Sequence, residues 1–232
     1  EQNKDCENSI EPGMIWPEKN AIQKHVISCV SISCIDLNRI QKRKFKIVID
    51  SVNGAGSNAL PILLESLGCE VIELNCEPDG NFTRGTEPLP ENLNDLSQMV
   101  VSHKADAGFA IDPDADRLAL VDQTGKPLGE EYTLVIAADG YLKETQRIEK
   151  FVVNLSTSLA LEKLAETYKS TVIRSAVGEI NVVNKMNEVK SKMGGEGNGG
   201  VILRESHLGR DSMIAATMIL NRMSLSNSTL GE

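Results

Sequence analysis

The chain has 232 residues, 41% of them hydrophobic, a net charge of −9 and a pI near 5.0, enough length for two modest cores. Acidity without a compensating run of lysine or arginine argues against nucleic acid and anionic membranes as partners. No stretch reaches the ~18 apolar residues that span a bilayer, and the acidic start EQNKDCENSIEP has no basic or apolar region of a secretory signal, so a cytosolic location is expected.

Residues 1–19 read as a flexible N-terminal segment, 20–126 and 127–225 as two successive units, and 226–232 as a flexible tail. In the first unit, strands are expected near 45–50, 69–74, 106–111 and 118–122, with helices near 57–67 and 91–103. Between the first strand and helix lies SVNGAGSNA, where Gly54, Gly56 and Ala59 fit the G-x-G-x-x-A dinucleotide fingerprint, and Glu73 ends the next strand roughly 20 residues on. That pattern makes an NAD-dependent oxidoreductase the competing enzyme class. Asp50 to Asn53 widen the turn beyond the usual Rossmann spacing, so the favoured reading is a Gly-rich β–α turn in which Ser57 caps the helix and Gly68 closes it.

The third strand stops at DPDADR. Asp112, Asp114 and Asp116 can turn their oxygens toward one hard cation, and Arg117 offers a planar fork to a phosphate. Crowded carboxylates repel one another unless a counter-ion offsets them, so the motif suggests metal-assisted phosphate chemistry. An EF-hand would need glycine at Arg117 and glutamate at Gln123, and that reading fails. A haloacid-dehalogenase-type phosphatase would want threonine or valine at Asp116 and a later acidic pair that is not found.

The second unit reads as a helix near 132–143, a strand at 151–155, the helix LALEKLAETY capped by Ser156 or Ser158, the strand TVIRSA, the helix VGEINVVNKMNEV, the strand VIL and a last helix SMIAATMILNRM. Within GGEGNGGVIL, glycines around Glu196 and Asn198 allow close backbone approach, and the carboxylate and amide can hydrogen-bond neighbouring sugar hydroxyls. Taken alone, the segment reads as a hairpin turn. No cation near Glu196 in sequence suggests a structural pair. The pattern as a whole predicts an α/β protein of two consecutive three-layer-type α/β domains with mixed, mainly parallel sheets and ligands at strand carboxyl ends. Cysteines 6, 29, 34, 69 and 76 include no C-x-x-C pair, and histidines 25, 103 and 207 are not spaced to join them at a zinc site. Reduced thiols are expected, with Cys69 as core filler and Cys6 on a mobile end.

DPDADR, then VGEINVVNKM, then GGEGNGG resembles the α-D-phosphohexomutase superfamily, the phosphoglucomutases, phosphomannomutases and phosphoglucosamine mutases, over about residues 20–223. Family members have four domains, of which the chain resembles the second and third. The resemblance implies interconversion of the 1- and 6-phosphates of a hexose or hexosamine through a phosphoserine. It implies Mg²⁺ on Asp112, Asp114 and Asp116, with Arg117 near the phosphorylated serine. Glu196 and Asn198 match the sugar loop, with Asn198 where serine is commoner, and Gly178 and Glu179 match a second loop linked to substrate preference. No serine here has the Thr/Ala-Ser-His-Asn-Pro context of the nucleophile; Ser102-His103 and Ser206-His207 lack the Asn-Pro. Gly85-Thr86-Glu87-Pro88 matches part of the fourth domain's phosphate loop but lacks its serine and its place in the chain. The implied partners are therefore a hexose or hexosamine phosphate and the absent first and fourth domains, without which the chain is expected to be inactive. A non-catalytic metal or sugar-phosphate-binding module is the alternative outside the enzymes.

Overall fold

Near-continuous apolar runs flanked by turn residues form strands here because both faces of each sheet are covered. The computed structural model describes residues 13–225 and 229–231; the expectations for Cys6, for residues 1–12 and for most of the tail lie outside them. Two helices open the chain, α1 (Ala21–Val30) and α2 (Leu37–Arg43), neither of which is expected from sequence. Asp36 caps α2 by accepting from Arg39 N at 2.9 Å.

The first unit continues with β1 (Lys46–Asp50), α3 (Ala59–Ser66), β2 (Glu70–Leu74), α4 (Asn94–His103), β3 (Ala107–Ile111) and β4 (Leu118–Asp122). Its sheet runs β2-β1-β3-β4. The first three strands are parallel, with Ile47 opposite Val71 and Ile49 opposite Phe109, and β4 pairs antiparallel, with Ala110 opposite Ala119. The second unit holds α5 (Glu131–Thr145), β5 (Lys150–Asn154), α6 (Ala160–Thr167), β6 (Thr171–Ser175), α7 (Glu179–Val189), β7 (Met193–Glu196), β8 (Gly200–Leu203) and α8 (Ser212–Leu225). Its sheet repeats the same plan as β6-β5-β7-β8, with only β8 antiparallel. Two α/β units with mixed, mainly parallel sheets are what the pattern predicts.

Two local expectations change. The residues Met-Gly-Gly-Glu form a buried strand, β7, where only a loop was expected. Gly194 sits so close to β5 and α7 that a Cβ would lie 2.5 Å from Val152 O and 2.7 Å from Met186 Sδ, so the poor strand propensity of glycine yields to the lack of space. Ser57 does not cap α3; it lies in a 3₁₀ turn and donates to Gly54 O at 2.8 Å. Ser158, the second of the two cap candidates for α6, does accept from Ala160 N at 3.3 Å.

Alternation along the strands builds three cores. Val48, Ala110 and Val121 pack with Leu96 and Val100 of α4, and Val152 and Ile202 pack with Val182 and Met186 of α7. Ile47, Ile49, Phe109, Phe151, Val153 and Val201 face inward from both sheets onto one continuous core that includes α5 and α8. Nearly every residue of α8 is buried, which places it between the sheets, since a helix apolar on all sides has no face for water. Among the described residues no helix is long and apolar enough to cross a membrane, and Cys29, Cys34, Cys69 and Cys76 are free thiols.

Candidate functional site

The aspartate loop leaves the carboxyl end of β3, whose residues are all buried. Asp112 Oδ1 accepts the N–H groups of Asp116 and Arg117, each at 3.0 Å, and Oδ2 accepts Arg117 Nε at 2.7 Å. Ala115 takes a left-handed φ of 61°, which folds the loop back so that its own N–H reaches Asp112 O at 3.1 Å. Burial pushes the Asp112 carboxyl up, against the pull of the Arg117 N–H, and the neighbouring Asp116 charge pushes it further. One oxygen each of Asp112, Asp114 and Asp116 lies within 4.8 Å of the others. Asp116 Oδ1 is buried and accepts no hydrogen bond. Arg117 Nε is 3.5 Å from it, an ion-pair distance but too long for a hydrogen bond. A buried carboxylate oxygen with no donor, facing two more carboxylates, fits a hard divalent cation such as Mg²⁺. Asp114 is exposed.

The neighbouring Gly-rich turn is packed against this loop. Ala55 N donates to Pro113 O at 2.8 Å, and a Cβ on Gly54 would lie 2.5 Å from that oxygen. The glycines therefore serve loop-to-loop contact, and Pro113 O occupies the amide that a pyrophosphate would need, which removes the structural basis of the dinucleotide reading. Arg84, not expected from sequence, donates from Nε to Asp50 Oδ2 and from Nη2 to Ile111 O, both at 2.7 Å, and so ties the carboxyl ends of β1 and β3. Glu87, in the segment set aside as a phosphate anchor, accepts from Arg117 Nη1 at 3.0 Å.

The sugar-type loop lies in the equivalent hairpin of the second sheet, between β7 and β8. Glu196 is only 4% exposed. Its Oε1 accepts Asn154 Nδ2 at 2.8 Å and the N–H of Gly178 at 3.3 Å. Gly178 has a φ of 112°, which suits a residue without Cβ at the start of α7. Asn198 turns its Oδ1 onto Gly200 N at 3.3 Å. The expectation that Glu196 lacks a cationic partner is corrected by Arg210. This residue donates to Glu196 Oε2 from Nη1 at 2.6 Å, to Glu179 Oε2 from Nε at 3.0 Å, and to Asp116 Oδ2 from Nη2. Sequence spacing gave no sign of that role, because Arg210 stands 94 residues from Asp116. The only trace is Gly200, where a Cβ would lie 2.3 Å from Arg210 Cδ.

Arg210 therefore brings Asp116, Glu179 and Glu196 to one guanidinium. The hairpins also touch directly: Leu118 N donates to Gly199 O at 3.1 Å, and Gly199, at φ 92°, would place a Cβ 2.5 Å from Leu118 O. Ser212, at the start of α8, donates to Ala115 O through N at 3.1 Å and Oγ at 2.7 Å. The five candidate residues Asp116, Arg117, Gly178, Glu179 and Glu196 thus share one bonded network with Asp112; Asn198 adjoins it through the hairpin, and Asp114, though exposed, keeps one carboxylate oxygen within 4.8 Å of those of Asp112 and Asp116.

Comparison with known proteins agrees with this geometry. The family model described as phosphoglucomutase/phosphomannomutase, alpha/beta/alpha domain II matches residues 23–125, and that for domain III matches residues 119–232. A phosphoglucomutase/phosphomannomutase of Thermococcus kodakarensis is 36% identical over 222 residues, covering 94% of this chain and 48% of the relative, so the chain spans about half the length of such relatives. The solved structure of a phosphoglucomutase/phosphomannomutase family protein from Burkholderia thailandensis superposes with a TM-score of 0.78 at 25% identity, covering 88% of this chain and 44% of that one. An N-acetylphosphoglucosamine mutase of Aspergillus fumigatus, solved in complex with GlcNAc-6P and magnesium, shares the fold at a TM-score of 0.64 and 15% identity, over 98% of this chain and 55% of that one. The chain belongs to the phosphoglucomutase/phosphomannomutase family, of which it carries domains II and III.

Proposed function

We propose that the protein to which this chain belongs moves a phosphoryl group between the 1- and 6-positions of a hexose or hexosamine phosphate, and that this chain supplies its Mg²⁺ site and its sugar-facing loop. The observation that carries the reading is Asp116 Oδ1, buried without a hydrogen bond beside the oxygens of Asp112 and Asp114. Asp112, Asp114 and Asp116 would hold the ion, which when bound offsets charge on a transferring phosphoryl group. Arg117 is fixed by Asp112 and Glu87 through Nε and Nη1, so its guanidinium is oriented at the rim of the aspartate loop, where it would steady a phosphate. Both oxygens of Glu196 are already engaged, so its first effect is to hold Gly178 and Arg210 in place. Asn198 and Glu179, less buried, would be the groups that meet sugar hydroxyls.

Because Asp114 is exposed, Asp114→Asn should leave the fold intact and weaken Mg²⁺ binding by about tenfold or more. Calorimetric titration of the chain and its variant measures this directly. Equal affinities would remove Asp114 from the site, whereas loss of mutase turnover in the whole protein with Mg²⁺ binding unchanged would point to a role in substrate handling instead.

A further inference from the structure

Away from the aspartate loop, four side chains converge that no sequence spacing joins. His25 and Cys29 lie one turn apart on α1, His207 lies on the turn after β8, and Asp211 precedes α8. Asp211 Oδ1 accepts the N–H groups of Met213 and Ile214 at 2.8 and 3.1 Å and so caps α8. That leaves Oδ2, which faces His25 Nε2 at 2.7 Å and His207 Nε2 at 2.8 Å. Cys29 Sγ stands 3.7 Å from His25 Nε2. We propose that His25, His207 and Asp211, whose donor atoms lie within 4.8 Å of one another, form a site for a zinc-like divalent transition-metal ion that shares no ligand with the aspartate loop.

The donor set is the first argument. Two imidazoles and one carboxylate oxygen, with water in the remaining position, suit zinc-like ions, whereas the all-oxygen loop suits Mg²⁺, so the two sites would sort metals by chemistry. Geometry is the second. Zinc bonds of ~2.0–2.2 Å at tetrahedral angles require donor separations of roughly 3.3 Å between nitrogen and oxygen. Each N···O distance must open by about half an ångström. The imidazoles, 32% and 43% exposed, can make that movement and leave a path for the ion. The rings are tilted at 51° with centroids 5.9 Å apart, so they meet tip-on at the oxygen and do not stack. Asp211 is also held as a metal-binding carboxylate should be, its outer oxygen fixed by backbone donors. The competing reading is an ion pair between the carboxylate and its two histidines. In that reading both imidazoles turn N–H groups to the one oxygen, and no added ion takes their place.

Binding requires both imidazoles to be unprotonated, so affinity should rise with pH. The test is a Co²⁺ titration of the 232-residue chain with excess Mg²⁺ filling the aspartate loop. One equivalent should bind with visible d–d absorption that Zn²⁺ abolishes by displacement. His207→Gln, on an exposed turn, should weaken binding about tenfold or more with an unchanged circular dichroism spectrum, and Cys29→Ser should leave the absorption in place. No saturable cobalt absorption, or a titration unaltered by His207→Gln, would overturn the site and leave the ion pair.

Discussion

At the scale of single residues, Arg210 decides whether two loops act as one. Its guanidinium is the cation for buried Glu196 and for Asp116, and removing one partner of a buried pair leaves an uncompensated charge that costs on the order of 3 kcal/mol. Arg210→Ala should therefore lower the unfolding free energy by about that amount in urea titration. Glu196→Gln in the same background should return part of the loss, because the stranded charge is gone. Simple additivity of the two substitutions would show that the pair is not coupled. The clustering of the aspartates was legible in the sequence because a tight turn gathers three carboxylates within five residues. Glu196 was legible as a residue but not as a paired one. Its cation comes from the far side of β8, and local spacing carries no record of tertiary partners.

At the scale of elements, the strands around 46–50, 107–111 and 118–122 were readable because burial imposes uninterrupted apolar runs on them. β7 was not, since glycine is selected there by the crowding of β5 and α7, which propensity opposes. The helical character of α8 was readable, but its central place between the sheets was not. That place is fixed partly by charge: Asp139 of α5 accepts from Arg222 of α8 and from Lys143 at 2.9 Å. Burial alone would raise the Asp139 carboxyl, but the hydrogen bonds of Lys143 and Arg222 hold it below the usual carboxylate range. A lowered folded pKa means that the stabilisation is fully present above the unfolded value of ~3.9 and is lost as pH falls through the folded one. Asp139→Asn should thus narrow the stability difference between variant and parent as the solution is acidified below about pH 4. A difference that stays constant from neutral to acid pH would show that packing, not ionisation, holds α5 to α8.

At the scale of the whole molecule, the second sheet repeats the topology of the first, yet the two share packing instead of meeting at a seam. Leu134, Ala137, Phe151, Ile214 and Ile219 from the second unit share one core with Ile40, Ile47, Phe109 and Leu120 from the first. Bonds between the units also close the site itself: Ser212 to Ala115, Gly199 to Leu118, and Arg210 to Asp116. Unfolding one unit alone would open the inner face of the other to water, at about 1.5–3 kcal/mol for each large apolar side chain uncovered. A handful of such residues amounts to roughly 8–15 kcal/mol, as much as the 5–15 kcal/mol that stabilises a typical domain, so a state with one unit folded should not accumulate. The chain should therefore melt in one transition, with calorimetric and van't Hoff enthalpies equal. Hydrogen exchange should give the same limiting stability for amides of β1 and of β5. Two resolved transitions, or a β5 that exchanges far faster than β1, would mean that the shared core holds less than its area implies and that the units are joined chiefly through the loops of the site.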